Sequence, residues 1–172
     1  MKLMKTVILG LALFLGAFIQ PALAQKADVS GKFNQSLQSY YALKNALATD
    51  KPEEAPKLAL VLQTAVKEVP HKGFKDTKQH LLWMSESAII QQKAVELSKS
   101  NDLKSQRKSF EGISTAFIKL AKELKLNNQE AYLQYCPMGK FSWLNEVKEI
   151  QNPYYGSEMY DCGTVKDTLE KN

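Results

Sequence analysis

Two short patterns near the C-terminus carry the residue types best suited to chemistry, Cys136-x-Met138 and Met159-x-x-Cys162. They are near mirror images, and each sets a thiol and a thioether close enough to converge on one ion. Soft sulfur donors favour Cu(I) and related soft metals over Mg, Ca or Mn. The four residues therefore read as a monovalent copper site, with His80 as a conceivable extra ligand. The thiolates would supply charge and most of the affinity, and the thioethers would complete the shell without protons to release. A second reading of the same residues is a Cys136–Cys162 disulfide. In an oxidising compartment two cysteines usually pair, and closing a loop of this length stabilises a chain by about 3.5 kcal/mol in the chain-entropy model. Met138 and Met159 would then be gap-fillers. The residues alone leave both readings open.

Composition narrows the alternatives. With two His and two Cys in 172 residues, the chain can build neither a His-rich catalytic centre nor a four-thiolate zinc site. No nucleophile–base pair, phosphate-cradling glycine loop or paired-carboxylate motif is present. A cysteine nucleophile would need an activating base, and His80 is the one candidate; His71, in the Pro70–Gly73 break, reads as exposed. A binding protein is thus expected rather than an enzyme. The formal charge of +5 comes from scattered lysines, so no nucleic-acid footprint is expected.

The sulfur residues lie in a segment, 132–163, that differs from the rest of the chain. It holds five of the seven tyrosines and both cysteines. No helix or strand period runs through it, while Pro137, Gly139, Pro153, Gly156 and Gly163 enforce turns. So long an irregular stretch in a compact domain is often functional. It is expected to fold onto one side or end of the domain, with Trp143, Tyr154 and Tyr155 as a small core of its own. An interaction surface anchored by Tyr154 and Tyr155 is the alternative use of a disulfide-stapled segment.

What must position this segment is helical. Apolar residues at three-four spacing predict helices over about 31–49, 52–69, 74–99 and 102–125. In the first, Phe33, Leu37, Tyr40, Tyr41 and Leu47 form the stripe and Lys44 interrupts it. Pro52 suits the first turn of the second, whose stripe runs from Ala55 to Val69. The third is read as Phe74, Thr77, Leu81, Met84, Ala88 and Val95, widened by Ile89 and Ile90. Tyr40, Tyr41, Trp83 and Met84 are read as core, and His80 as a boundary residue. The fourth, Leu103, Gln106, Phe110, Ile113, Phe117, Leu120 and Leu124, is the cleanest. Arg107 and Ser114 lie seven residues apart on one face of it, where the guanidinium could brace the C-terminal segment by taking carboxylates or carbonyls; an ordinary surface arginine and a small packing residue are the alternative. Four such stripes with short connections predict an all-α, up-down four-helix bundle with the irregular Cys/Met/aromatic motif packed on it.

The N-terminus reads as an address. Two lysines, an apolar run from Val7 to Ile19 and Ala22-Leu23-Ala24 form the pattern of a secretory signal peptide, 1–24. The run is too short to cross ~30 Å of hydrocarbon, and no later stretch is apolar enough to do so. A mature chain from Gln25 to Asn172, periplasmic or secreted, is the expectation.

The string Cys136-Pro137-Met138, Trp143-Leu144, Glu149-Ile150-Gln151-Asn152-Pro153-Tyr154-Tyr155-Gly156, Met159 and Cys162-Gly163 resembles an uncharacterised exported domain family. That domain is found alone or C-terminal to periplasmic adaptor subunits of copper and heavy-metal efflux systems, chiefly in Bacteroidetes. Ser36–Tyr41, Leu43, Ala46, Leu47 and Asp50 look like its opening helix, and Gln106–Phe110 with Ser114 like its fourth. The resemblance implies metal handling in the periplasm, with Cys136, Met138, Met159 and Cys162 as the metal positions and efflux components as partners. Between Met138 and Trp143 the chain has only Gly139-Lys140-Phe141-Ser142, shorter than the family's stretch, and it carries no adaptor domain.

Overall fold

A computed structural model describes residues 28–172; the expected signal peptide at 1–24 lies outside the described residues. Four helices follow one another as α1 (Val29–Ala48), α2 (Ala55–Lys67), α3 (Thr77–Ser98) and α4 (Leu103–Leu124). Three start on an aspartate whose carboxylate accepts a free backbone N–H of the first turn: Asp28 from Gly31, Asp76 from Lys78 and Asp102 from Ser105. α2 instead opens with Pro56 in its first turn. Pro52, expected there, lies in the preceding turn, and its carbonyl accepts from the Gln106 side chain at 2.9 Å. Among the described residues no helix is long and apolar enough to cross a membrane.

The core runs between the helices through Phe33, Tyr40, Leu62, Ile90, Phe110 and Phe117, all without exposed surface. α4 buries the expected stripe, with Leu103 at its partly covered margin. α3 corrects its reading. Its buried face is Trp83, Glu86, Ser87, Ile90, Ala94 and Leu97, while Leu81, Met84 and Ile89 are exposed. Apolar residues stand on both sides of this helix, and Trp83, clasped by Phe33 and Phe74, decides which side turns inward. Lys44 corrects another: the stripe of α1 does not break there, because the lysine is itself fully buried.

The largest difference is in the C-terminal segment, so the fold is not purely all-α. Residues 131–169 contain β1 (Ala131–Cys136), β2 (Phe141–Asn145) and β3 (Thr164–Leu169), an antiparallel sheet in the order β2-β1-β3. β1 and β2 form a hairpin in which Cys136 faces Phe141 across Pro137-Met138-Gly139-Lys140. The strand period is hidden for a physical reason. A bulge between Leu133 and Gln134 shifts the inward positions from Ala131 to Gln134 and Cys136, so no single alternation runs along β1. β2 packs on α4, and the chain closes where the Asn172 N–H meets the Asn127 carbonyl at 2.9 Å.

Candidate functional site

Cys136 ends β1 and Cys162 precedes β3, so the pairing of these two strands brings the thiols together. Both are free, and their sulfurs are 3.7 Å apart. Cys136 is fully buried and Cys162 half-buried. Burial works against ionisation of Cys136, but the backbone N–H groups of Gly139 and Met138, the Cys162 thiol and the Asn152 amide outweigh it and hold the Cys136 thiol below its usual range. Cys162 is shifted the other way, by its hydrogen bond to Cys136, by burial and by the charges of Cys136 and Asp161. The pair therefore ionises first at Cys136, with Cys162 keeping the proton between them.

Each thiol sits on a turn with a methionine. Met138 stands at the tip of the hairpin turn, 69% exposed. Met159 is half-buried, and its carbonyl accepts from the Cys162 N–H at 3.2 Å. Asn152 organises this second turn. It is fully buried, donates to the Cys162 carbonyl at 3.0 Å and accepts from the Tyr154 N–H at 2.9 Å. A Cβ at Gly163 would fit only tightly, 3.1 Å from Ile150 and the Tyr135 carbonyl and 3.2 Å from the Trp143 ring.

The aromatic residues form a wall behind the thiols. Trp143 is fully buried and donates to the Gln134 side chain at 2.9 Å. Tyr154 stacks on Phe141 at 4.3 Å and meets the edge of Trp143. Tyr155 is half-buried, with its hydroxyl beside Gly139.

Helical residues fasten this wall. Arg107 donates to the Pro153 carbonyl at 2.9 Å, to the Leu47 carbonyl at 3.0 Å and to the Asp50 carboxylate. Asp50 in turn accepts from the Ser157 N–H at 2.8 Å. Ser114 donates to the Ser142 carbonyl at 3.0 Å and meets the Tyr40 hydroxyl at 2.9 Å. A residue read only as an interruption completes the set. The Lys44 ammonium donates to Asn145 and, at 2.7 Å, to Gln151, with Glu146 at 3.1 Å. Burial lowers its pKa to about 8 despite the Glu146 charge. A charged residue inside an otherwise apolar stripe was the signal for it, because a buried ammonium needs acceptors from another element.

His80 is not brought to the thiols by any contact; its ring nitrogen meets that of His71 on the α2–α3 connection, 3.2 Å away. Among the described residues no cluster of three His, Cys, Asp or Glu side chains forms. The two thiols therefore have no third His, Cys, Asp or Glu beside them among the described residues.

A family model described as a protein of unknown function (DUF3347) matches residues 37–129, more than half of the chain. The matched stretch takes in the helices from Leu37 onward and stops before the sheet that carries both cysteines. No curated protein and no solved structure matches the chain.

Proposed function

We propose, for a chain that belongs to the DUF3347 family of proteins of unknown function, that it binds one soft metal ion, Cu(I), through Cys136 and Cys162. The observation that carries this is the 3.7 Å separation of two free thiols from opposite ends of the C-terminal segment. Two thiolates on one ion stand ~3.8 Å apart when ~2.3 Å metal–sulfur bonds meet at a tetrahedral angle. The backbone N–H groups around Cys136 support a thiolate there, as the partners of a sulfur ligand do. Thioether donors within two or three residues of each thiol bias the set toward a soft, low-charge ion. Cys136, the thiol that ionises first, is sealed from solvent, which suits a ligand better than an attacking nucleophile, so the reading is a binder and not an enzyme. Its setting is periplasmic heavy-metal handling, with efflux components as partners.

The test is a Cu(I) competition titration against a colorimetric chelator, on reduced protein and on Met138→Leu/Met159→Leu. One tight equivalent, weakened at least tenfold in the variant, is the expected result. Absence of competition, or binding indifferent to both methionines, removes the thioether site. The second reading is a periplasmic protein-interaction module stapled by a Cys136–Cys162 disulfide. The short sulfur separation favours it too, since closure to the ~2.05 Å of a disulfide needs a small movement.

A further inference from the structure

The sequence holds two histidines, nine positions apart, and the fold sets them face to face. His71 Nδ1 lies 3.2 Å from His80 Nε2, with ring centroids 5.5 Å apart. We propose that this pair is a second metal site, independent of the thiols, for a borderline divalent first-row ion of the Ni(II), Cu(II) and Zn(II) class. Imidazole nitrogen is the donor these ions prefer. With metal–nitrogen bonds of ~2.0–2.1 Å, two nitrogens sharing an ion stand ~2.9 Å apart at a right angle and ~3.4 Å at a tetrahedral angle. The observed separation falls between the two, so the nitrogens already stand at a spacing one ion can share, and each ring swings to aim its lone pair at an ion beside the line that joins them.

The positions of the rings are set by backbone structure. His71 opens a one-turn 3-10 segment, closed by bonds from the Gly73 N–H to the Pro70 carbonyl at 2.7 Å and from the Phe74 N–H to the His71 carbonyl at 3.3 Å. His80 lies in the first turn of α3, its N–H on the Asp76 carbonyl at 2.9 Å. Phe74, between them in sequence, stacks on buried Trp83 at 5.9 Å. Two donors already held at this spacing cost less ordering on binding than donors that must first be brought together. Both rings are half-buried, which leaves a path for the ion and room for water in its remaining positions. In the hydrogen-bonded pair one ring's N–H points at the other's lone pair. Loading also requires that this ring adopt its other tautomer, with no net loss of a proton from two neutral imidazoles. Lys72, Lys75 and Lys78 add positive charge nearby in sequence against Asp76 alone, which keeps the affinity for any divalent ion modest.

The experiment is a calorimetric titration of Ni(II) into the reduced full chain, with absorbance recorded in parallel. The expected result is one saturable equivalent, no thiolate-to-nickel charge-transfer band, and at least tenfold weaker binding in His71→Gln and in His80→Gln. Carbethoxylation read by mass spectrometry tests the same idea without substitutions: Ni(II) protects both histidines together. Non-saturable binding, a thiolate band that accompanies it, variants that bind as well as the parent, or histidines that stay reactive in excess Ni(II) would each overturn the site. A thiolate band would place the nickel at the cysteines and so speak for metal binding there while overturning the histidine site, and the other outcomes leave Cu(I) at the cysteines untouched, so the two proposals fail separately.

Discussion

A lysine without exposed surface is the residue that most constrains the candidate site from outside it. The Lys44 ammonium meets Asn145, the last residue of β2, and Gln151 and Glu146 in the loop that follows. Removing one partner from such a cluster leaves the others buried and unpaired, which typically costs 3–5 kcal/mol. Lys44→Met is therefore expected to lower unfolding stability by about 3 kcal/mol. The same residue fixes the sign of the alkaline pH dependence. Its native pKa is depressed to about 8 from 10.5, so between those values the unfolded chain holds the proton more often than the native one. Stability then rises with pH across that window. Tyr40 and Tyr41 act in the opposite sense. Burial raises both phenols above 10.0, so the unfolded chain ionises first and stability falls from about pH 10 upward. Urea unfolding from pH 7 to 11 should show a maximum near pH 10 in the parent and no rise in Lys44→Met. A rise that survives the substitution would assign it to another group.

At the scale of elements, the turn at Gly156 joins α1, α4 and the segment leading to Cys162. Its φ is +57°, a left-handed conformation that only glycine adopts without strain. A Cβ there would also run into the Asp50 carboxylate and the Arg107 guanidinium. Gly156→Ala should therefore cost about 2–3 kcal/mol and weaken metal binding through the turn that carries Met159 and Cys162. Arg107→Lys should reproduce the second effect, because an ammonium cannot span the acceptors that the guanidinium fork reaches. Thermal melts and the Cu(I) titration, run on both variants, check this, and unchanged metal affinity in both would detach the turn from the site. Legibility in the sequence follows the same elements. α4 was readable because one face is apolar and the other is not, down to the buried Gln106. α3 is ambiguous in sequence because Leu81, Met84 and Ile89 match the helical period as well as Trp83, Ile90 and Leu97 do, and tertiary contact alone chooses between them. The strands escaped because the bulge at Leu133/Gln134 breaks the alternation and because Gln134 and Asn145 are polar groups satisfied inside. The cysteines and methionines stood out by type, but their convergence depends on the pairing of β1 with β3, which no local pattern specifies.

For the whole molecule, the question is whether the sheet is an appendage of the bundle or part of the same cooperative unit. The contacts argue for one unit. The Tyr40 hydroxyl on α1 bridges both layers, meeting the Ser114 hydroxyl and accepting from the Leu144 N–H at 3.1 Å. Lys44, Asn45 and Arg107 reach from helices into the 145–153 loop, and Tyr154 enters the helical core beside Phe110. At the other end, Asn34 of α1 accepts from the Asn128 N–H at 2.9 Å, and Asn127 holds the last residues of the chain. Melting the sheet alone would strand these buried polar groups, each costing about 1–3 kcal/mol, so partial unfolding is disfavoured. The two tryptophans report on the layers separately, Trp83 from among the helices and Trp143 from the sheet. Trp83→Phe leaves a sheet reporter and Trp143→Phe a bundle reporter. In urea each variant's fluorescence should change at the same midpoint as its helical circular dichroism, the mark of a two-state transition. A sheet signal lost well before the helices in Trp83→Phe would instead make the sulfur-bearing segment a separable unit. With coincident transitions, an ion bound at the cysteines stabilises the whole domain, by an amount set by its concentration relative to its dissociation constant. The metal site would then be coupled to the stability of the entire bundle.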